Sequence, residues 1–474
     1  MIFSSIVFLV YFLPVLLLVY YIAPRFLKNW VLIAGSIFFY SWGAPRFIFV
    51  ILSTTVVDFY LVKMMDASEG RIRRRLLLTL SICINVGLLF YFKYSNFFIE
   101  NMNLLLGSLN VGTITWTKLI LPIGISFYTF ETMTYVVDVY RKVHKPLKNF
   151  WEYQLYIILF PKLIAGPIIR YHEIADQITG RFKDDNVDNR LMGFYRFVIG
   201  LSKKVFIANT MGAVADKVFG NMSDLSSGNA WIGILAYTFQ IYFDFSGYSD
   251  MAIGLGKMFG FRFPENFNNP YTSQGITEFW RRWHITLGNW MRNYLYIPLG
   301  GNRVNSKLRL FFNLWFVFLI SGLWHGASWN FIIWGAFHGF FLIFERIGLN
   351  KFYLWIGRVP SVIITFFIVV NGWVFFRLEK FGDAILCFKA MYSFNFSDSI
   401  LSLNTQFEFM FILAILFSFF VLPGIGQKLQ NIVFFKTYTL SRHLVMTMIS
   451  ALLFIFSVGA IASSGYNPFI YFRF

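Results

Sequence analysis

The amino-acid sequence predicts an all-α polytopic membrane protein with about 11–13 spanning or re-entrant helices. Three observations predict it. Of the 474 residues, 57% are hydrophobic and 14% charged, with a mean hydropathy of +0.60. A soluble chain of this length needs far more polar surface. The apolar runs approach the ~20 residues that cross a bilayer as a helix, and they are too continuous for barrel strands, which alternate. The Lys and Arg residues that give the net charge of +18 cluster in short loops between those runs. That is the positive-inside pattern of a membrane protein, so nucleic acid is not the expected partner.

Taken in order, the first apolar stretch, 6–22, lacks a basic leader and a small-residue cleavage site, and it reads as a retained first helix. Helices follow at 30–42, 47–62, 76–92, 119–140, 151–169, 191–214 and 231–258. Further helices are expected at 310–323, 329–344, 359–376, 409–422 and 444–463. Several are short or interrupted, which predicts re-entrant segments. With no internal repeat or linker, one domain spanning 1–474 is the simplest organisation. Residues 277–296 differ from these runs. Trp280, Trp283, Leu287, Trp290 and Tyr294 recur at helical spacing, while Arg281, Arg282 and Arg292 fall on other faces. That pattern predicts one amphipathic interfacial helix, with His284 inside it.

Charge sets the orientation. Lys63 with Arg71, Arg73, Arg74 and Arg75 marks one cytoplasmic loop, and Arg141, Lys142, Lys145 and Lys148 mark another. Residues 96–116 carry no Lys or Arg and are expected outside. The localisation expected is a cell membrane, crossed several times. Cys83 and Cys387 sit in apolar surroundings without a C-x-x-C pair, so neither a disulfide framework nor a thiolate metal site is expected. No pair of the six histidines has ligand spacing, and no metal is expected.

The stretch Ser321-Gly-Leu-Trp-His-Gly-Ala-Ser-Trp-Asn-Phe-Ile-Ile-Trp-Gly-Ala-Phe-His-Gly339 places two histidines, His325 and His338, in otherwise apolar, aromatic or small sequence. An ionisable group in a membrane is costly and marks a candidate functional site. The alternative is a histidine that only bonds a neighbouring helix. Trp324 and Asn330 lie close to the pair and are candidates for contact with substrate. Asp244, Ser246 and Tyr248 put polar groups into another apolar run. Asp244 and Tyr248 stand four apart on one helix face, suited to lining a tunnel or to tying helices together.

Six motifs in order resemble the membrane-bound O-acyltransferase family. They are Leu121-Pro-Ile-Gly-Ile-Ser-Phe-Tyr128, Phe160-Pro-Lys-Leu-Ile-Ala-Gly-Pro167, Gln240-Ile-Tyr-Phe-Asp-Phe-Ser-Gly-Tyr-Ser-Asp-Met-Ala-Ile-Gly254, Asn266-Phe-Asn-Asn-Pro-Tyr271, Phe279-Trp-Arg-Arg-Trp-His284 and Ser321-Gly-Leu-Trp-His-Gly326. The pattern is similar to the bacterial branch that serves alginate O-acetylation and teichoic acid D-alanylation. Glu131 and Thr134 depart from the Gln and Ser expected in alginate-type members, which leaves the acceptor polymer open.

The resemblance implies tilted helices around a central tunnel, His325 as the catalytic residue and His284 as a second functional histidine. It implies acetyl-CoA or another cytoplasmic acyl thioester as the donor substrate, no tightly bound cofactor, and an extracytoplasmic acetyltransferase or polysaccharide secretion complex as partner. Arg281, Arg282, Arg292 and Arg303 are then candidates for coenzyme A phosphates or, equally, for lipid headgroup anchors. In this branch a Phe-x-Tyr-Phe-x-Phe ending recurs on a membrane component. Here it runs from Phe469 to Phe474, which makes the Tyr471 hydroxyl a candidate acyl relay, the alternative being plain anchoring by an interfacial belt of Phe and Tyr. The alternatives are D-alanyl or acyl transfer to another envelope polymer and, from a different class, a transporter or flippase.

Overall fold

A computed structural model of the chain describes residues 1–222, 225–396 and 403–470. Every regular element among these residues is helical. Among the described residues seven helices are long and apolar enough to cross a membrane, and two shorter apolar helices accompany them. The chain forms two compact units, Met1–Asn186 with Phe259–Phe263, and Val187–Met258 with Pro264–Phe474.

The first unit contains α1 (Val7–Ile22), α2 (Lys28–Gly43), α3 (Ile48–Asp66), α4 (Arg71–Ser108), α5 (Ile125–Tyr140), α6 (Phe150–Ile158) and α7 (Tyr171–Gly180). Two of its buried acids are paired. Asp58 on α3 accepts from Ser81 and from Asn85 of α4, the latter at 2.9 and 3.1 Å. Glu131 on α5 forms an ion pair with Lys162, and both side chains are buried. Such pairing is what makes a polar group tolerable away from water.

Three sequence expectations shift here. The helix expected over 119–140 begins at Ile125, because Pro122 and Gly124 precede it and Gly124 adopts a left-handed φ of 76°. A side chain at Gly124 would also meet the Leu163 carbonyl at 2.6 Å. The helix expected over 151–169 stops at Ile158, since Pro161, Gly166 and Pro167 interrupt the ladder. Part of the loop expected outside, 96–116, continues α4 to Ser108.

The second unit contains α8 (Val187–Phe219), α9 (Ser227–Met258), α10 (Ile276–Arg282), α11 (Ile285–Trp290), α12 (Lys307–His325), α13 (Trp329–Ile356), α14 (Arg358–Arg377), α15 (Phe381–Tyr392), α16 (Thr405–Phe419), α17 (Ile425–Phe434) and α18 (Leu440–Ser463). Helix α9 is its axis, buried at almost every position from Phe239 to Met258. It packs on α8 through paired glycines. A Cβ on Gly254 would meet the Gly193 carbonyl at 2.5 Å, and one on Gly247 would meet the Gly200 carbonyl at 2.7 Å. Each pair repeats after seven residues, two helical turns, so small residues bring two backbones together along one seam.

Candidate active site

The site is built from the ends of helices. His325 is the last residue of α12, and the chain returns after a three-residue turn as α13. Close approach of the two helices is set by Gly322, where a Cβ would lie 2.2 Å from the Phe331 carbonyl oxygen. The buried imidazole of His325 is enclosed by aromatic rings, with centroids 4.9 Å from Trp324, 5.2 Å from Trp334 and 5.1 Å from Phe376.

His284 stands between α10 and α11. The single amphipathic helix expected over 277–296 is in fact broken here: Trp283 is extended and His284 takes a left-handed conformation with φ 46° and ψ 53°. For a non-glycine residue this costs about 1–3 kcal/mol and persists only where surroundings enforce it. Here the 266–268 loop enforces it. Asn268 N–H donates to the Arg282 carbonyl, and Ile285 N–H donates to the Asn266 carbonyl, both at 2.9 Å. The His284 ring packs edge-on against Phe245 of α9 at 4.7 Å and lies 6.2 Å from the Trp324 ring. Trp324 therefore contacts both histidines. Nδ1 of His284 is 3.0 Å from Asn266 Oδ1, while buried Nε2 has no hydrogen-bond partner among the described residues. Burial pushes this imidazole down to about 3, so it is neutral throughout the physiological range.

His338 on α13 belongs to the same aromatic cluster. It is fully buried, with its ring 4.9 Å from Trp280 and 5.0 Å from Trp334, and neither ring nitrogen has a hydrogen-bond partner among the described residues. Asn330 spends its amide on the Leu378 carbonyl and ties α13 to the end of α14. The four arginines are not gathered at the histidines. Arg281, Arg292 and Arg303 are exposed, and Arg282 pairs with Glu278 at 2.6 Å.

Helix α9 serves three surroundings with three faces. Phe245 meets His284. Ser246, Ser249 and Asp250 line a cavity of about 600 Å³ whose wall also includes Asn266, Phe417 and Phe434. Asp250 is held there by Arg196 at 2.9 Å and Lys203 at 2.6 Å, while buried Ser246 Oγ has no partner among the described residues. Asp244 and Tyr248 face the end of the described chain. Asp244 pairs with Lys204 at 3.0 Å and accepts from Ile470 N–H at 2.9 Å, and Tyr248 stacks on Phe469 at 4.6 Å. Lys204 also donates to the Pro468 carbonyl. The C-terminal segment is thus tied to the middle of α9. Tyr471 itself lies outside the described residues.

Residues that sequence reasoning gives no role are Asn266, Lys204, Phe245 and Trp334. Asn266 opens one of the quoted motifs, yet only the folded loop brings it to His284.

The family model for the membrane-bound O-acyltransferases, MBOAT, matches residues 75–354. The chain is 46% identical over 397 residues to the probable alginate O-acetylase AlgI of Pseudomonas aeruginosa, covering 83% of this chain and 75% of that one. It is 40% identical to the protein of the same description from Azotobacter vinelandii over the full length of both. It is 38% identical to the peptidoglycan O-acetyltransferase of Helicobacter pylori, covering 83% of this chain and 80% of that protein. The chain is therefore a multi-pass membrane enzyme and belongs to the membrane-bound O-acyltransferase family.

Proposed function

We propose that this protein transfers an acetyl group from cytoplasmic acetyl-CoA across the membrane for O-acetylation of an extracytoplasmic polysaccharide, alginate in the first instance. The observation that carries this is the pair of buried histidines joined through Trp324, one of them presenting an open ring nitrogen. The names of the relatives in Pseudomonas aeruginosa and Azotobacter vinelandii support alginate as the acceptor.

In this reading a hydroxyl oxygen attacks the thioester carbonyl while the His325 imidazole takes the hydroxyl proton. The tetrahedral oxyanion collapses, the C–S bond breaks and the thiolate recovers the proton, leaving an ester and free coenzyme A. Neutral His284 accepts a hydrogen bond at Nε2 from a polar hydrogen of one substrate and so aligns it. Aromatic walls exclude water, which would otherwise hydrolyse the thioester. Trp324, Ser246, Tyr248, Asn330 and His338 are assigned to the walls and supports of the substrate passage, and the exposed Arg281, Arg292 and Arg303 to coenzyme A phosphates.

The first acceptor is the Tyr471 hydroxyl, with the docking of Phe469 and Ile470 on α9 as support. A phenolate is a good leaving group, so the aryl ester passes its acetyl to the next hydroxyl. An extracytoplasmic acetyltransferase completes the transfer. The test supplies radiolabelled acetyl-CoA to membranes holding the full-length protein, follows label into alginate, and digests the protein for mass spectrometry of the C-terminal peptide. An acetylated Tyr471 peptide is expected, together with loss of transfer in Tyr471→Phe. Full transfer by Tyr471→Phe overturns the relay, and label entering peptidoglycan in place of alginate reassigns the acceptor.

A further inference from the structure

Four hydrogen bonds converge on one buried side chain beside His284. The Asn266 Oδ1 atom lies 3.0 Å from His284 Nδ1, 2.9 Å from Thr286 Oγ1 and 3.4 Å from the Thr286 backbone nitrogen. The fourth is from Asn266 Nδ2 to Ser249 Oγ, at 3.0 Å. A backbone N–H can only donate, so the atom facing it is the amide oxygen and not the nitrogen. An amide oxygen can only accept, so His284 Nδ1 carries the proton. In a neutral imidazole with hydrogen on Nδ1, the lone pair resides on Nε2. That nitrogen is the buried one with no partner among the described residues.

We infer that Asn266 is the positioning residue of His284: it fixes the tautomer in which Nε2 accepts, and it holds the ring toward Trp324. This rests on the functional assignment of His284 above. The loop that carries Asn266 also enforces the left-handed backbone of His284, through the Asn266 carbonyl and Ile285 N–H. Ring orientation, tautomer and backbone conformation therefore share one source. Ser249 and Asn266 also line the 600 Å³ cavity, so the hydrogen-bonded chain Ser249–Asn266–His284 runs from its wall to the imidazole. The groups packed on the ring, Phe245 of α9 and Trp324 of α12, are uncharged. The ionisable residues next to these neighbours in sequence are Asp244, held by Lys204, Glu265, held by Arg196, and His325.

The test measures acetyl transfer from radiolabelled acetyl-CoA against pH for the full-length protein in membranes. Asn266→Ala is expected to lower kcat roughly 10- to 100-fold, the scale on which loss of a partner that orients a functional histidine acts. Asn266→Asp keeps an acceptor for Nδ1 and for both Thr286 donors, and Ser249 Oγ can turn to donate to it. Its negative charge stabilises the imidazolium, so protonation, which destroys the acceptor at Nε2, sets in at higher pH. The acid limb of kcat is expected to move toward neutrality by about 1–3 pH units, with activity recovered on the alkaline side. A merely structural asparagine would leave that limb in place. Should Asn266→Ala fail to accumulate, the pH profile of Asn266→Asp alone decides. Wild-type turnover in His284→Ala removes the role of His284 itself. An inactive His284→Ala beside an Asn266→Asp with an unshifted acid limb overturns the assignment of Asn266 alone.

Discussion

Asp58 and His284 are both buried ionisable residues, and the protein treats them in opposite ways. The carboxylate of Asp58 is met by a hydroxyl and an amide from the neighbouring helix, so its cost of burial is offset within the first unit. His284 is held on one side only: Nδ1 is bonded and Nε2 is left open in an aromatic enclosure, on a strained backbone. A satisfied buried group ties helices together. A half-satisfied one, maintained against a conformational cost, fits the role proposed for His284 in aligning a substrate.

Breaking each side of this comparison gives effects of different kinds. The largest is expected at His284→Ala, which lowers acetyl transfer about 10²-fold or more while thermal unfolding of the purified protein stays near the wild-type curve. Next is Asp244→Ala. It leaves Lys204 buried without its carboxylate and removes the acceptor of Ile470 N–H. A loss of about 3–5 kcal/mol is expected, and limited proteolysis should find the C-terminal segment newly cleavable. An uncleaved tail in that variant would contradict the docking role given to Asp244. Asp58→Ala strands the Ser81 hydroxyl and leaves the Asn85 amide with the Ser81 carbonyl alone; it is expected to cost about 1–3 kcal/mol, with kcat per folded molecule unchanged. The smallest effect is expected at His338→Leu. Both ring nitrogens there lack partners among the described residues. An apolar replacement is therefore expected to be neutral or stabilising by under about 1 kcal/mol, read as an unchanged or raised Tm. A fall in activity at constant stability would instead show that a ring nitrogen of His338 meets the substrate.

The elements legible in the sequence are those whose signal is local. Apolar runs mark most helices because each reports its own burial, and His325 is conspicuous as a polar residue in such a run. The break at His284 is not legible. The Trp spacing on either side continues helical periodicity, and what ends the helix is a set of backbone bonds to residues 266–268. The pairing of Asn266 with His284 depends on the same loop, and it has no periodic signature. Likewise Asp244 and Tyr248 share the face that their spacing predicts, but their contact is with Phe469 and Ile470, more than 200 positions onward, where no sequence spacing points. Helix α4 runs past its expected end because Asn, Ser and Gly in 95–108 read as loop residues, although the helix continues through them.

In the proposed mechanism a buried imidazole at the end of α12 accepts the hydroxyl proton during acyl transfer. Turnover of radiolabelled acetyl-CoA by purified His325→Ala, folded and inserted like the wild type, tests it most directly. Transfer reduced by about 10²–10⁴ is expected, with the thioester left intact. Transfer at the wild-type rate in that variant would contradict it.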